Sequence, residues 1–214
     1  MRDRIERGDP FWPAQVAVAC AVLLSLLLAD PLTIGPRWLL PAIEGSLFVV
    51  LVAVLPRRAT RHSRGRRTFA LCVIGLVSVA TVYSLARLVH FLVSGGVVNG
   101  ERLIESGAVI WVTNVLLFAV WYWELDRGGP VARHLHPDAL ADFEFPQMDP
   151  DVGMKEWRPG FGDYLYTSLT NSVAFSPTDT MPLTLTAKGL MALQSLTALL
   201  TIALVVARAV NILG

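Results

Sequence analysis

The chain has 214 residues and a formal net charge of +1; 54% of them are hydrophobic and 16% charged, with a mean hydropathy of +0.54. Ordinary soluble domains carry roughly 45–50% apolar and about 25% charged residues, so this composition reads as that of a membrane protein. It excludes a disordered chain, a nucleic-acid binder with a strongly basic face and a disulfide-stapled secreted module. Cys20 and Cys72 both lie in apolar runs and read as small buried hydrophobes.

Five apolar runs are long enough for a bilayer, which takes about 20 residues and tolerates roughly 17–25. They are Pro13–Ala29, Leu39–Leu55, Phe69–Val93, Leu103–Trp123 and Leu185–Leu213. The first ends at Asp30-Pro31 without a small-x-small cleavage site, so it reads as a span and not a removable signal. Trp12, Trp38, Trp121 and Trp123 fall at run ends, the depth that indole rings prefer.

Pro56–Arg67 carries six arginines, a cytoplasmic mark and a surface for anionic lipid headgroups. With that loop inside, the amino terminus and residues 124–162 are inside as well. Those three segments hold 13 lysines and arginines, against Arg37 and Arg102 in the two outer loops. The expected topology is a multi-pass protein of the inner (plasma) membrane, amino terminus cytoplasmic and carboxyl terminus outside.

Charges inside apolar runs are costly and need an account. Tyr83, Arg87 and His90 share one face of the third run, spaced four and three apart. Glu44 near the outer start of the second run and Glu105 near that of the fourth are expected at comparable depth, with Asp30 closing the first. Such a layer is either interhelical ion pairing, the preferred reading, or an ion or proton site. On the last run, Gln194, Thr197, Thr201, Arg208 and Asn211 form a polar stripe that either joins helices or lines water.

Residues 124–162 form the only sizeable soluble stretch; Gly128-Gly129-Pro130, Pro137, Pro146, Pro150 and Pro159 predict an irregular path. His134-x-His136 and Asp138 have metal-ligand types without an established spacing and read as a solvated loop, as do Asp149 and Asp151. No nucleophile-and-base set, phosphate loop or twin Cys-x-x-Cys is present, so neither an enzyme, a cofactor nor a metal site is expected.

Ahead of the last run, Asp163 can cap a helix ending near Ala174, because Pro177 would interrupt it. A helix that short covers roughly 18 Å, too little to cross the hydrocarbon. Helix, polar turn Ser176-Pro177-Thr178-Asp179 and full span make the pattern of a re-entrant loop, which membranes tolerate only inside protein or beside water. A helix lying flat on the interface fits the pattern equally well.

The last fifty-odd residues resemble the pore module of tetrameric potassium channels. Ser168-Leu169-Thr170 stands where many such channels have Ser-Leu-Thr. Ala174-Phe175-Ser176-Pro177-Thr178-Asp179-Thr180-Met181-Pro182 falls without a gap on the family's Thr-Val-Gly-Tyr-Gly-Asp-x-x-Pro. Asp179 and Pro182 match; the glycines and the tyrosine do not, which argues against a high-fidelity potassium filter. Leu193–Leu196 and Ala207–Val210 are similar to parts of the inner helix. The charge count also puts the loop at the cytoplasmic face, opposite to potassium channels. More broadly, the chain resembles a bacterial multi-span membrane family without an assigned activity, through Trp121–Pro130 and Phe175–Thr184.

The resulting expectation is an all-α integral membrane protein: four spans within residues 1–123, an irregular cytoplasmic segment 124–162, and a re-entrant helix-loop with the final helix in 163–214. The resemblance implies a homo-oligomer, a tetramer, passing monovalent cations. Thr170, Ser176, Pro177, Thr178 and Asp179 would form the constriction; Gln194, Thr197 and Thr201 would line the cavity. The rivals are a transporter or sensor built on Glu44, Arg87, His90 and Glu105, and a non-conducting scaffold that docks a partner on residues 121–160.

Overall fold

The computed structural model describes residues 10–29, 32, 33, 36, 38–54, 64–94, 100–152, 154, 157–173 and 179–213. It is mostly helical: α1 (Trp12–Ser25), α2 (Leu39–Val54), α3 (Arg64–Ser94), α4 (Gly100–Leu125), α5 (Pro130–Leu135), α6 (Phe161–Val173) and α7 (Leu185–Leu213). Two short strands, β1 (Phe143–Glu144) and β2 (Met181–Pro182), pair antiparallel, with Phe143 opposite Pro182. Three segments, Arg67–Leu92, Glu101–Gly128 and Leu185–Val210, are long and apolar enough to cross a membrane. The 14-residue α1 and 16-residue α2 reach only about 21 and 24 Å, less than a hydrocarbon core of about 30 Å.

The central helix is α4, packed against α7, α6, α1 and α3. Its stretch Val115–Trp123 is apolar on nearly every side, and a helix apolar all round is buried all round. Side-chain contacts set the directions. Phe11 meets Trp123 edge-on at 5.4 Å, Arg67 Nη2 donates to the Glu124 carbonyl at 3.2 Å, and the Ala29 amide donates to Ser106 Oγ at 3.1 Å. Thus α1 and α3 begin where α4 ends and run antiparallel to it. α7 is antiparallel to α4 too: Gln194 touches Tyr122, Asn114 touches Thr197, and Val205 lies beside Gly107. That last approach needs glycine, because a Cβ at Gly107 would fall 2.3 Å from Val205 Cγ2.

Four expectations change. The third helix starts at Arg64, ahead of the apolar run, because arginine ends a hydrocarbon run without ending a helix. Cys20 and Cys72 are exposed: an apolar run has no polar face, so its outward positions cannot be told from its inward ones. Trp123 is buried between Phe11 and Phe161 instead of facing headgroups, and Trp121 Nε1 donates to Ser78 Oγ at 3.0 Å. Residues 124–162 are more ordered than an irregular path, holding among the described residues three 3-10 turns, α5 and β1. Asp30, Arg37, Arg57, Arg58, Arg61, Ser176, Pro177 and Thr178 lie outside the described residues.

Candidate functional site

The carboxyl-terminal end of α4 carries a buried polar anchor. Asp126, fully buried, accepts the Asp142 amide at 2.9 Å and the Tyr164 hydroxyl at 2.5 Å, and lies 3.7 Å from the Arg133 guanidinium. Arg133 also donates to the Trp123 and Asp126 carbonyls at 3.2 and 3.3 Å and stacks over the Tyr164 ring. Asp142 in turn accepts the Arg127 amide at 2.9 Å and the Thr184 hydroxyl at 2.7 Å, while its own carbonyl takes the Leu183 amide at 2.8 Å. A turn builds this geometry: Arg127, Gly128 and Gly129 all have positive φ, at 52°, 80° and 95°. Gly129 is required, since a Cβ there would lie 2.9 Å from the Glu124 carbonyl.

Through this anchor, both ends of the segment 164–184 are tied to one place. Tyr164 holds its start to Asp126 and Thr184 holds its end to Asp142. Between them, α6 lies along α4. Phe161 packs edge-on against Trp123, and Ser168 Oγ donates to the Val115 carbonyl at 2.7 Å. Val115 is about 12 Å along α4 from Trp123. The return is marked by Thr180, whose hydroxyl is 3.1 Å from that of Thr167, and by β2 on β1. α6 begins at Phe161, earlier than a cap at Asp163 predicts; Asp163 sits in its first turn and accepts the Gly160 amide at 2.8 Å.

Beside this anchor α4, α6 and α7 are joined by a polar knot around Gln194, which is completely buried. Its carbonyl oxygen accepts from the Tyr122 hydroxyl and from Asn171 Nδ2 at 2.9 Å; its amide nitrogen faces Ser168 O, Ser168 Oγ and Ser172 Oγ at 2.9, 2.6 and 2.7 Å. Asn171 Nδ2 also donates to the Met191 carbonyl at 3.0 Å and Ser195 Oγ donates to Asn171 Oδ1 at 3.0 Å. One turn on, Asn114 Nδ2 donates to Thr197 Oγ1 at 2.7 Å, and Thr201 Oγ1, buried, donates to the Thr197 carbonyl at 2.7 Å. Gln194, expected beside a cavity, therefore spends its amide between helices of its own chain.

Of the expected constriction residues, Thr170 is half-buried and donates to the Tyr166 and Thr167 carbonyls of its own helix, while Asp179 is exposed. The expected layer of intramembrane charges is not drawn together around Glu44. Glu105 is exposed and pairs with Arg102 at 3.5 Å; Arg87 stacks over the Phe91 ring, which His90 also meets. Glu44 lies deeper, opposite Val77–Ser84 of α3 and Val109–Thr113 of α4, in a cavity whose lining includes none of the other three. The anchor was missed because Asp126, Arg133 and Asp142 sit in a stretch without periodicity; the spacing of seven from Asp126 to Arg133 was the available signal.

Among the described residues no group of three or more His, Cys, Asp or Glu stands close enough to hold a metal ion. Comparison with known protein families, with characterised proteins and with solved structures finds no match.

Proposed function

We propose that the chain is a five-span protein of the bacterial inner membrane, forming a homotetramer that passes monovalent cations between its copies. Residues 163–183 act as a re-entrant helix-loop and α7 as the helix lining the wider path. The observation that carries this reading is the double tether: Tyr164 on Asp126 and Thr184 on Asp142, with Ser168 bonded to Val115 about 12 Å along α4. A segment that leaves and regains one end of a helix, with its polar faces spent on neighbours, is the arrangement in which irregular backbone survives at membrane depth. The residues after α6 would meet their counterparts at the symmetry axis, where hydroxyls of Ser176 and Thr178 and the carboxylate of Asp179 favour cations with modest selectivity.

The antiparallel run of α1 and α3 against α4 supports the alternation of spans, and the arginines of 57–67 support a cytoplasmic face for the anchor end. The test is flux from liposomes loaded with potassium or sodium, using protein shown to be folded and tetrameric. Cation flux above that of empty liposomes, with an altered permeability ratio in Asp179→Asn, is expected. Folded monomers, or tetramers that leave the liposomes as tight as empty ones, would refute it.

A further inference from the structure

A second polar site lies away from the 163–183 segment, in the middle of the bundle formed by α1, α2, α3 and α4. Glu44 of α2 is 1% exposed, and beside it is a cavity of about 10 Å³, close to the space one water-sized occupant needs. Ser84 of α3 and Thr113 of α4 line this cavity; both are buried, and the hydroxyl oxygens of both lack a hydrogen-bond partner. Ser25 of α1 completes the polar set. Its hydroxyl is 2.7 Å from the Val22 carbonyl and 3.2 Å from Glu44 Oε2. A hydroxyl has one proton, so it cannot fully serve both acceptors.

The charge balance is the decisive feature. A buried carboxylate needs a partner of opposite charge or must lose its own charge. Thr81 is bonded to the Val77 carbonyl, the remaining lining is Ala, Leu, Val and Ile, and among the described residues Glu44 is the sole ionisable one facing the cavity from α1, α2, α3 or α4. The described residues thus supply an anionic oxygen, three hydroxyls and a water-sized space, and no cation. Unpaired buried hydroxyls are costly unless something occupies the space between them.

We propose that this cavity binds one small monovalent cation, with Glu44 as the anionic ligand and Ser84 and Thr113 completing its shell. Two sources supply that chemistry. A proton on the carboxyl would let Glu44 donate to Ser25 Oγ, freeing Ser25 to serve Val22, with a water on the two hydroxyls. A dehydrated sodium ion would instead take the water's place. The site is independent of the 163–183 reading.

The probe is dicyclohexylcarbodiimide, an apolar reagent that adds to protonated carboxyls, applied to full-length protein in detergent and read by peptide mass spectrometry at Glu44. Exposed Glu105 serves as the internal reference. Labelling that falls about tenfold per pH unit as the carboxyl ionises, unchanged by sodium, supports the proton form. Labelling slowed by sodium chloride but not by choline chloride supports the sodium form. Glu44 labelling that is absent, or indifferent to both pH and sodium, overturns the proposal. Ser84→Ala with Thr113→Val keeps the carboxyl and the volume near Thr113 but removes the shell, and should weaken the pH or sodium response severalfold. An unchanged response in folded double variant would overturn the role of the hydroxyls.

Discussion

Replacing Gln194 by leucine isolates what the central knot contributes. Each partner's remaining options decide the cost. Asn171 Nδ2 keeps the Met191 carbonyl and Ser168 Oγ keeps the Val115 carbonyl, so neither is orphaned. The Tyr122 hydroxyl still accepts from Asn171 Nδ2 at 3.3 Å but, as a donor, loses its acceptor inside a fully buried pocket, a desolvation cost of about 1–3 kcal/mol. Losing the bonds to Ser168, Ser172 and Asn171 adds about 0.6 kcal/mol each, the average for interhelical bonds in lipid. Gln194→Leu should therefore cost about 3–5 kcal/mol, roughly a third to two thirds of it from one stranded hydroxyl. Unfolding in mixed micelles with rising dodecyl sulfate, followed by the fluorescence of the six tryptophans, measures it. If the hydroxyl dominates, Tyr122→Phe in the Gln194→Leu background should recover about 1–2 kcal/mol, a coupling in a double-mutant cycle. A single-variant cost below about 0.5 kcal/mol, or strictly additive effects of the two changes, would refute the reasoning.

Three further perturbations address other parts of the fold. Arg133→Met removes the cation beside Asp126 and leaves a fully buried carboxylate with only hydrogen-bond donors; a loss of about 3–5 kcal/mol is expected in the same assay. Gly129→Ala puts a Cβ 2.9 Å from the Glu124 carbonyl at a φ of 95°, and should cost about 1–3 kcal/mol with faster proteolysis between 126 and 160. Gly107→Ala meets Val205 at 2.3 Å, and should separate α4 from α7 at a cost of about 1–3 kcal/mol, eased when Val205 is shortened to alanine in the same chain.

Legibility followed the range of each interaction. The bounds Leu39 and Leu185 of two runs are the observed helix starts, because at both the apolar run and the helix begin together. The stripe Gln194, Thr197 and Thr201 was visible as a helical seam, since its spacing is local. Its partners were not, because Tyr122, Ser168 and Asn171 come from distant turns of chain that no period connects. Glu44 stood out as a charge in an apolar run, yet the residues of opposite charge in neighbouring runs drew attention away from Ser84 and Thr113. Hydroxyls are common in spans and carry no mark that they lack a partner; only packing reveals it.

The anchor and the turn after α6 make separable demands, and this gives the proposed conduction its sharpest test. Asp126 and Asp142 hold the ends of 164–184 by bonds to Tyr164 and Thr184, whereas exposed Asp179 bonds into neither. Asp142→Ala strands the Arg127 amide and releases the Thr184 hydroxyl, so it should lower stability by about 1–3 kcal/mol. If the tether also sets the position of the turn, flux per folded tetramer should fall with it. Asp179→Asn should leave unfolding unchanged within about 0.5 kcal/mol, as surface changes usually do, and alter the cation ratio alone. Stability measured beside flux on the same preparations tells the two apart. A tether variant that loses stability while conducting normally per folded tetramer would detach the anchor from conduction and leave it a purely architectural feature of the bundle's end.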